Sequence, residues 1–74
     1  NPSTVISFSL PRASEVTIEV FTSIGTLVKT LATGSYPAGN HSVRFNAGSL
    51  SSGVYFYKIT AGDFTQTKSM ILVK

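Results

Sequence analysis

Apolar and polar residues alternate along most of this chain with the two-residue period of a half-buried β-strand. Between Thr4 and Leu10, Ile6, Phe8 and Leu10 share one face while Ser7 and Ser9 take the other. Pro11 ends that run because it has no N–H to give to a ladder. Val16, Ile18 and Val20 alternate with Thr17 and Glu19 to predict a second strand, and Ser23-Ile24-Gly25-Thr26 supplies a glycine where a tight reversal needs positive φ. Leu27 to Leu31 is the returning strand. Its buried face is ambiguous, because Leu27, Lys29 and Leu31 fall on one side and Val28 and Thr30 on the other.

Thr33 to Asn40 is dense in turn formers and predicts the longest loop. His41, Val43 and Phe45 then alternate with Ser42, Arg44 and Asn46, and the pattern breaks at Ala47-Gly48. After the short connection Leu50-Ser51-Ser52-Gly53, a strand from Val54 to Thr60 turns through Ala61-Gly62-Asp63 and pairs with Phe64 to Val73. In this closing hairpin Tyr55, Tyr57 and Ile59 make an inward row whose hydroxyls reach the rim, with Phe56 on the opposite side and Lys58 facing out. No window longer than about ten residues keeps a helical period. The fold class is therefore all-β: one small antiparallel immunoglobulin-like β-sandwich of six or seven strands over residues 1–74, with a barrel as the structural alternative.

Composition narrows the means of stabilisation. A chain of 74 residues is close to the size at which one hydrophobic core leaves little net stability, and with no cysteine, one histidine and three acidic residues it has neither disulfide nor metal to add. Charged residues make up 12% of the chain, against about 25% in average proteins, and Ser and Thr fill 20 positions, so hydroxyls replace charges on the polar faces. The cations Arg12, Lys29, Arg44, Lys58, Lys68 and Lys74 are spread evenly, without the basic tract of a nucleic-acid binder. The longest apolar run, Met70 to Val73, is far short of the roughly 20 residues of a membrane-spanning helix.

Little of the inventory suggests chemistry. His41, in register with Val43 and Phe45 and without a second ligand nearby, reads as a packing or edge residue. Glu15 and Glu19 stand about 13 Å apart along a strand, too far for a carboxylate pair, and read as solvent charges. The glycines open no helix and so form no phosphate loop. Asn40-His41-Ser42 fits a glycosylation acceptor but reads more simply as a turn leading into a strand. No catalytic residue, cofactor or metal site is expected. The start at Asn1, with no initiator Met and no signal sequence, suggests a piece of a longer protein.

Taken in order, the segments resemble a known family. Asn1-Pro2, the strand Thr4 to Leu10 with its Leu-Pro stop, Val16 to Phe21, the hairpin Gly25, Val28 and Leu31, Gly39-Asn40-His41, Leu50 to Lys58, Ala61 to Phe64 and Thr67 to Lys74 are arranged as in the C-terminal sorting domain of proteins exported by the type IX secretion system of Bacteroidetes (type A). The immunoglobulin-like domain of the flagellar hook-capping protein is similar to it. There are two departures: Thr22 stands where the family has Asp before the hairpin, weakening the expected turn bond, and Lys68 is followed by Ser69 rather than a second basic residue.

The resemblance implies a non-catalytic address tag. A cargo domain N-terminal to Asn1 would reach the periplasm of a Gram-negative bacterium, the outer-membrane translocon would recognise the folded sandwich, and a surface sorting peptidase would process it, leaving the cargo secreted or on the cell surface. Gly53 and Tyr55 would set the geometry of the last hairpin, and Lys68 and Lys74 would give charge at its exposed end. Two other readings carry different expectations. Unpaired strand edges would allow self-association into an extracellular fibre or surface layer. A carbohydrate-binding module would need exposed aromatics, for which Tyr36 and Phe21 look free.

Overall fold

The computed structural model describes residues 3–48 and 50–73. Six antiparallel strands, β1 (Ser3–Leu10), β2 (Ser14–Thr22), β3 (Leu27–Tyr36), β4 (Gly39–Asn46), β5 (Gly53–Ala61) and β6 (Phe64–Leu72), form two sheets of unequal size. One contains β1 and β4; the other has the order β3-β2-β5-β6. This is the expected all-β sandwich of immunoglobulin-like form, built from two strands on four.

The core lies where the alternation places it. Val16, Ile18 and Val20 of β2 are fully buried, flanked by Tyr55, Ile59 and Ala61 of β5, and covered by Ile6 and Leu10 of β1 and Phe45 of β4. Phe45 is the largest fully buried side chain, and it joins the small sheet to the large one. Tyr57 packs on this cluster while remaining half-buried. Cross-strand pairing of Ile18 with Ile59 and Val20 with Tyr57 keeps both apolar rows on one face.

β3 resolves the ambiguity of its sequence. Pairing with β2 steps from Ala32 to Thr30 and from Lys29 to Leu27, so Leu31 and Val28 are each an extra residue opposite the continuous β2 backbone. Two bulges break the two-residue period twice, which is why neither parity of Leu27 to Leu31 reads cleanly as buried. Val28, Leu31 and Ala32 reach the core, while Leu27 stays exposed.

The long loop expected over Thr33 to Asn40 does not exist. Thr33 to Tyr36 continue β3, β4 begins at Gly39, and only Pro37 and Ala38 connect them. Residues that read as turn formers are held extended by their neighbour strand: Gly34 sits opposite Val16 and Ser35 opposite Glu15, whose carboxylate accepts a hydrogen bond from the Ser35 hydroxyl. The β2–β3 reversal is as expected, with Gly25 at φ 91°. Thr22 closes that turn through three bonds: its N–H donates to the Thr26 carbonyl, its own carbonyl accepts from Gly25, and its Oγ1 accepts from the Thr26 N–H at 3.2 Å. The threonine thus makes the side-chain bond that an aspartate would supply.

Candidate functional site

Large apolar side chains left at the surface are not scattered. Among the described residues Val5, Ile24, Leu27, Val54, Phe64, Ile71 and Val73 are exposed, and five of these seven gather at one end of the four-stranded sheet. Ile24 tips the β2–β3 turn, 89% exposed. Register aligns the rest: Leu27 lies opposite Phe21, Phe21 opposite Phe56, Phe56 opposite Ser69, and one step further Val54 lies opposite Ile71. These side chains occupy the face turned away from the core, because their strand neighbours Val20, Tyr55 and Leu72 point inward and are buried. Val73 follows at the same end. The Glu19–Lys58 pair borders this patch two residues along the sheet, and contiguous exposed apolar surface with a polar rim is one mark of an interaction site.

The residues singled out from sequence are distributed around this patch. Gly53 opens β5 at φ 154°, with open space where a side chain would begin, and pairs with Leu72. Tyr55 is buried and its hydroxyl donates to the Ser51 carbonyl at 2.8 Å, which ties down the Leu50 to Ser52 connection just before β5. Tyr55 therefore lies in the core beneath the patch, and Gly53 lies at its margin where β5 begins. Lys68 is exposed on β6 opposite Tyr57, about 13 Å along the strand from Leu72, so it is not part of the apolar cluster. Lys74 lies outside the described residues, as do Asn1 and Pro2 of the opening motif.

The polar candidates are taken up by structure. His41 lies against Phe8 and Tyr36, with ring centroids 5.4 and 5.2 Å away, and its Nε2 is 2.7 Å from the Pro37 carbonyl. It is a packing residue at the β3–β4 corner, as its register suggested. Tyr36, which looked free to stack on a sugar, is instead half-buried in the same trio, edge-on to Phe8 at 5.7 Å. Phe21 is half-buried between Leu27 and Phe56 in the sheet. Asn40 accepts a hydrogen bond from Ser9 at 2.7 Å across the small sheet. Among the described residues no helix is long and apolar enough to cross a membrane.

The apolar patch itself was not read from sequence. Its signal was present in the outward parity of Val54, Phe56 and Ile71, but joining them to Phe21 and Leu27 requires the register across β3, β2, β5 and β6, which no single segment encodes.

Among known families, that described as secretion system C-terminal sorting domain matches residues 1–74. No curated protein and no solved structure matches significantly. With the match spanning the full length of an all-β sandwich, the chain belongs to the family of type IX secretion system C-terminal sorting domains.

Proposed function

We propose that this domain is a non-catalytic export tag, and that the type IX machinery reads it at the apolar end of its four-stranded sheet. Membership in the family gives the general role, a sorting signal for export to the cell surface or medium. The observation that carries the finer reading is the clustering of Ile24, Leu27, Val54, Ile71 and Val73 at one end of the sheet, the end at which β6 finishes. A partner that buries these side chains gains about 25 cal/mol for each Å² of apolar surface removed from water.

Gly53 and Tyr55 shape the start of β5 beneath that surface, while Lys68 and Lys74 offer positive charge to the translocon or to the surface peptidase. The cargo domain precedes Asn1, and the tag performs no bond-breaking step of its own. The test is a reporter protein carrying an inner-membrane export signal and fused at its C-terminus to this chain, expressed in a type IX-competent bacterium and in the same strain lacking the translocon. The reporter reaches the surface or medium only in the competent strain. Equal surface reporter in both strains, or periplasmic retention in both, overturns the reading.

A further inference from the structure

The two sheets are mismatched in width, and the mismatch leaves one strand edge beside an open ledge. β1 pairs with β4 and, among the described strands, with no other. β4 lies toward β3, so the other side of β1 faces β6. Between them runs a groove of about 330 Å³, with Ser7 to Leu10 on one side, Phe64, Gln66 and Lys68 on the other, and Tyr57 and Ile59 beneath. Pairing of Phe64 with Ala61, Gln66 with Ile59 and Lys68 with Tyr57 places all three on the core-facing side of the large sheet, yet all three are exposed, because the small sheet stops one strand short of them. The groove continues past Leu10 into a second cavity of about 500 Å³ bordered by Arg12 and Asp63.

β1 is also the least protected edge. Natural sheets guard their edges with charge, proline or bulges. β3 carries two bulges and Lys29, β4 carries Arg44, and β6 carries Lys68, whereas Ser3–Leu10 has no charged residue, no proline and an unbroken register. A folded second copy cannot use this edge. Its own large sheet would lie in the same layer as β6, which projects under the position of any strand added to β1. The ledge admits one lone strand and excludes a sandwich.

We propose that the edge of β1 from Val5 to Leu10 accepts an extended segment of a partner protein as a third strand of the small sheet. Six residues of pairing span about 20 Å. Main-chain bonds to β1 hold the segment, and its alternate residues face the ledge. Apolar side chains suit the positions over Phe64 and Ile59, and an acidic side chain suits the position level with the Tyr57–Lys68 pair, where Lys68 is the cation that faces it. This site lies at the opposite end of β6 from the apolar patch and stands or falls independently of the export reading, since it is tested on the purified domain.

The probe is a capped nine-residue peptide alternating threonine with valine, one inward valine replaced by glutamate, and a companion with lysine at that position. Titration followed by NMR is expected to shift and protect amides between Val5 and Leu10, with the glutamate peptide the tighter. Lys68→Glu, at an exposed position, reverses the preference by about fivefold, the effect of roughly 1 kcal/mol in an exposed ion pair; Lys68→Gln abolishes it. Protection along the β6 edge instead, absence of saturable binding at millimolar peptide, or an unchanged preference in both Lys68 variants overturns the proposal. Concentration-dependent β1 shifts without peptide, the sign of pairing between copies, overturn it too.

Discussion

Replacing Phe45 with alanine tests whether the two layers are held as one unit by the core described above. Phe45 is 0% exposed and comes from β4, in the sheet that has only two strands. Truncating a fully buried phenylalanine costs about 3–5 kcal/mol, from lost transfer energy and from the cavity left behind. A 74-residue domain has roughly 4–11 kcal/mol in total at the usual stability per residue. The variant is therefore expected to lose a large fraction of the domain's net stability. For domains of this size each kcal/mol lowers Tm by about 4–8 °C, so Phe45→Ala should fall by about 12–40 °C. Phe45→Leu keeps most of the volume and should fall by less than half as much. Thermal unfolding followed by circular dichroism, with near-UV tyrosine signals reporting packing, reads both variants. A Tm drop under about 5 °C for Phe45→Ala would refute the assignment of Phe45 as a main packing residue between the sheets.

Three further outcomes are expected. Tyr55→Phe keeps the buried ring but loses the bond to Ser51, and should cost about 1 kcal/mol in urea unfolding while amide exchange quickens at Leu50 to Ser52. A variant that exchanges like the parent would show that the hydroxyl does not hold that connection. Gly25→Ala forces a side chain into a backbone at φ 91° and should cost about 1–3 kcal/mol, even though open space surrounds the added carbon. Thr22→Ala removes the Oγ1 acceptor of the β2–β3 turn and should cost about 0.5–1.5 kcal/mol, whereas Thr22→Asp should match or exceed the parent in stability; a costly aspartate would contradict the role given to that bond.

The parts legible in the sequence are those governed by local alternation and turn chemistry. Ile6 and Leu10, Val16 to Val20, and the inward row of Tyr55 and Ile59 were placed correctly by parity alone, because each segment runs without a bulge. The same rule failed on β3. There Val28 and Leu31 are extra residues whose positions depend on how β2 pairs alongside, and Gly34 and Ser35 stay extended because Val16 and Glu15 hold them. Tyr36 looked free because its partners, Phe8 and His41, are distant in sequence or lie across a corner. The candidate surface was hidden for a related reason. Of its members only Phe56 reads as turned away from the inward row, and the sheet order is what sets it, with Val54 and Ile71, beside Phe21, Leu27 and Ile24. Nor does alternation reveal that one sheet has two strands and the other four, which is what leaves the ledge beside β1 open.

The adjacent residues Ile71 and Leu72 separate recognition from folding. Leu72 is 8% exposed and belongs to the core, while Ile71 is 76% exposed and belongs to the patch. Leu72→Ala is expected to cost about 2–3 kcal/mol of stability, and any export defect it causes follows from that loss. The most direct measurement is the surface-to-periplasm ratio of a reporter fused to the Val54→Ser, Ile71→Ser double variant, alongside its Tm. A Tm within a few degrees of the parent together with reporter held in the periplasm is the predicted result. Full export of that folded double variant would contradict recognition at the apolar end of the sheet.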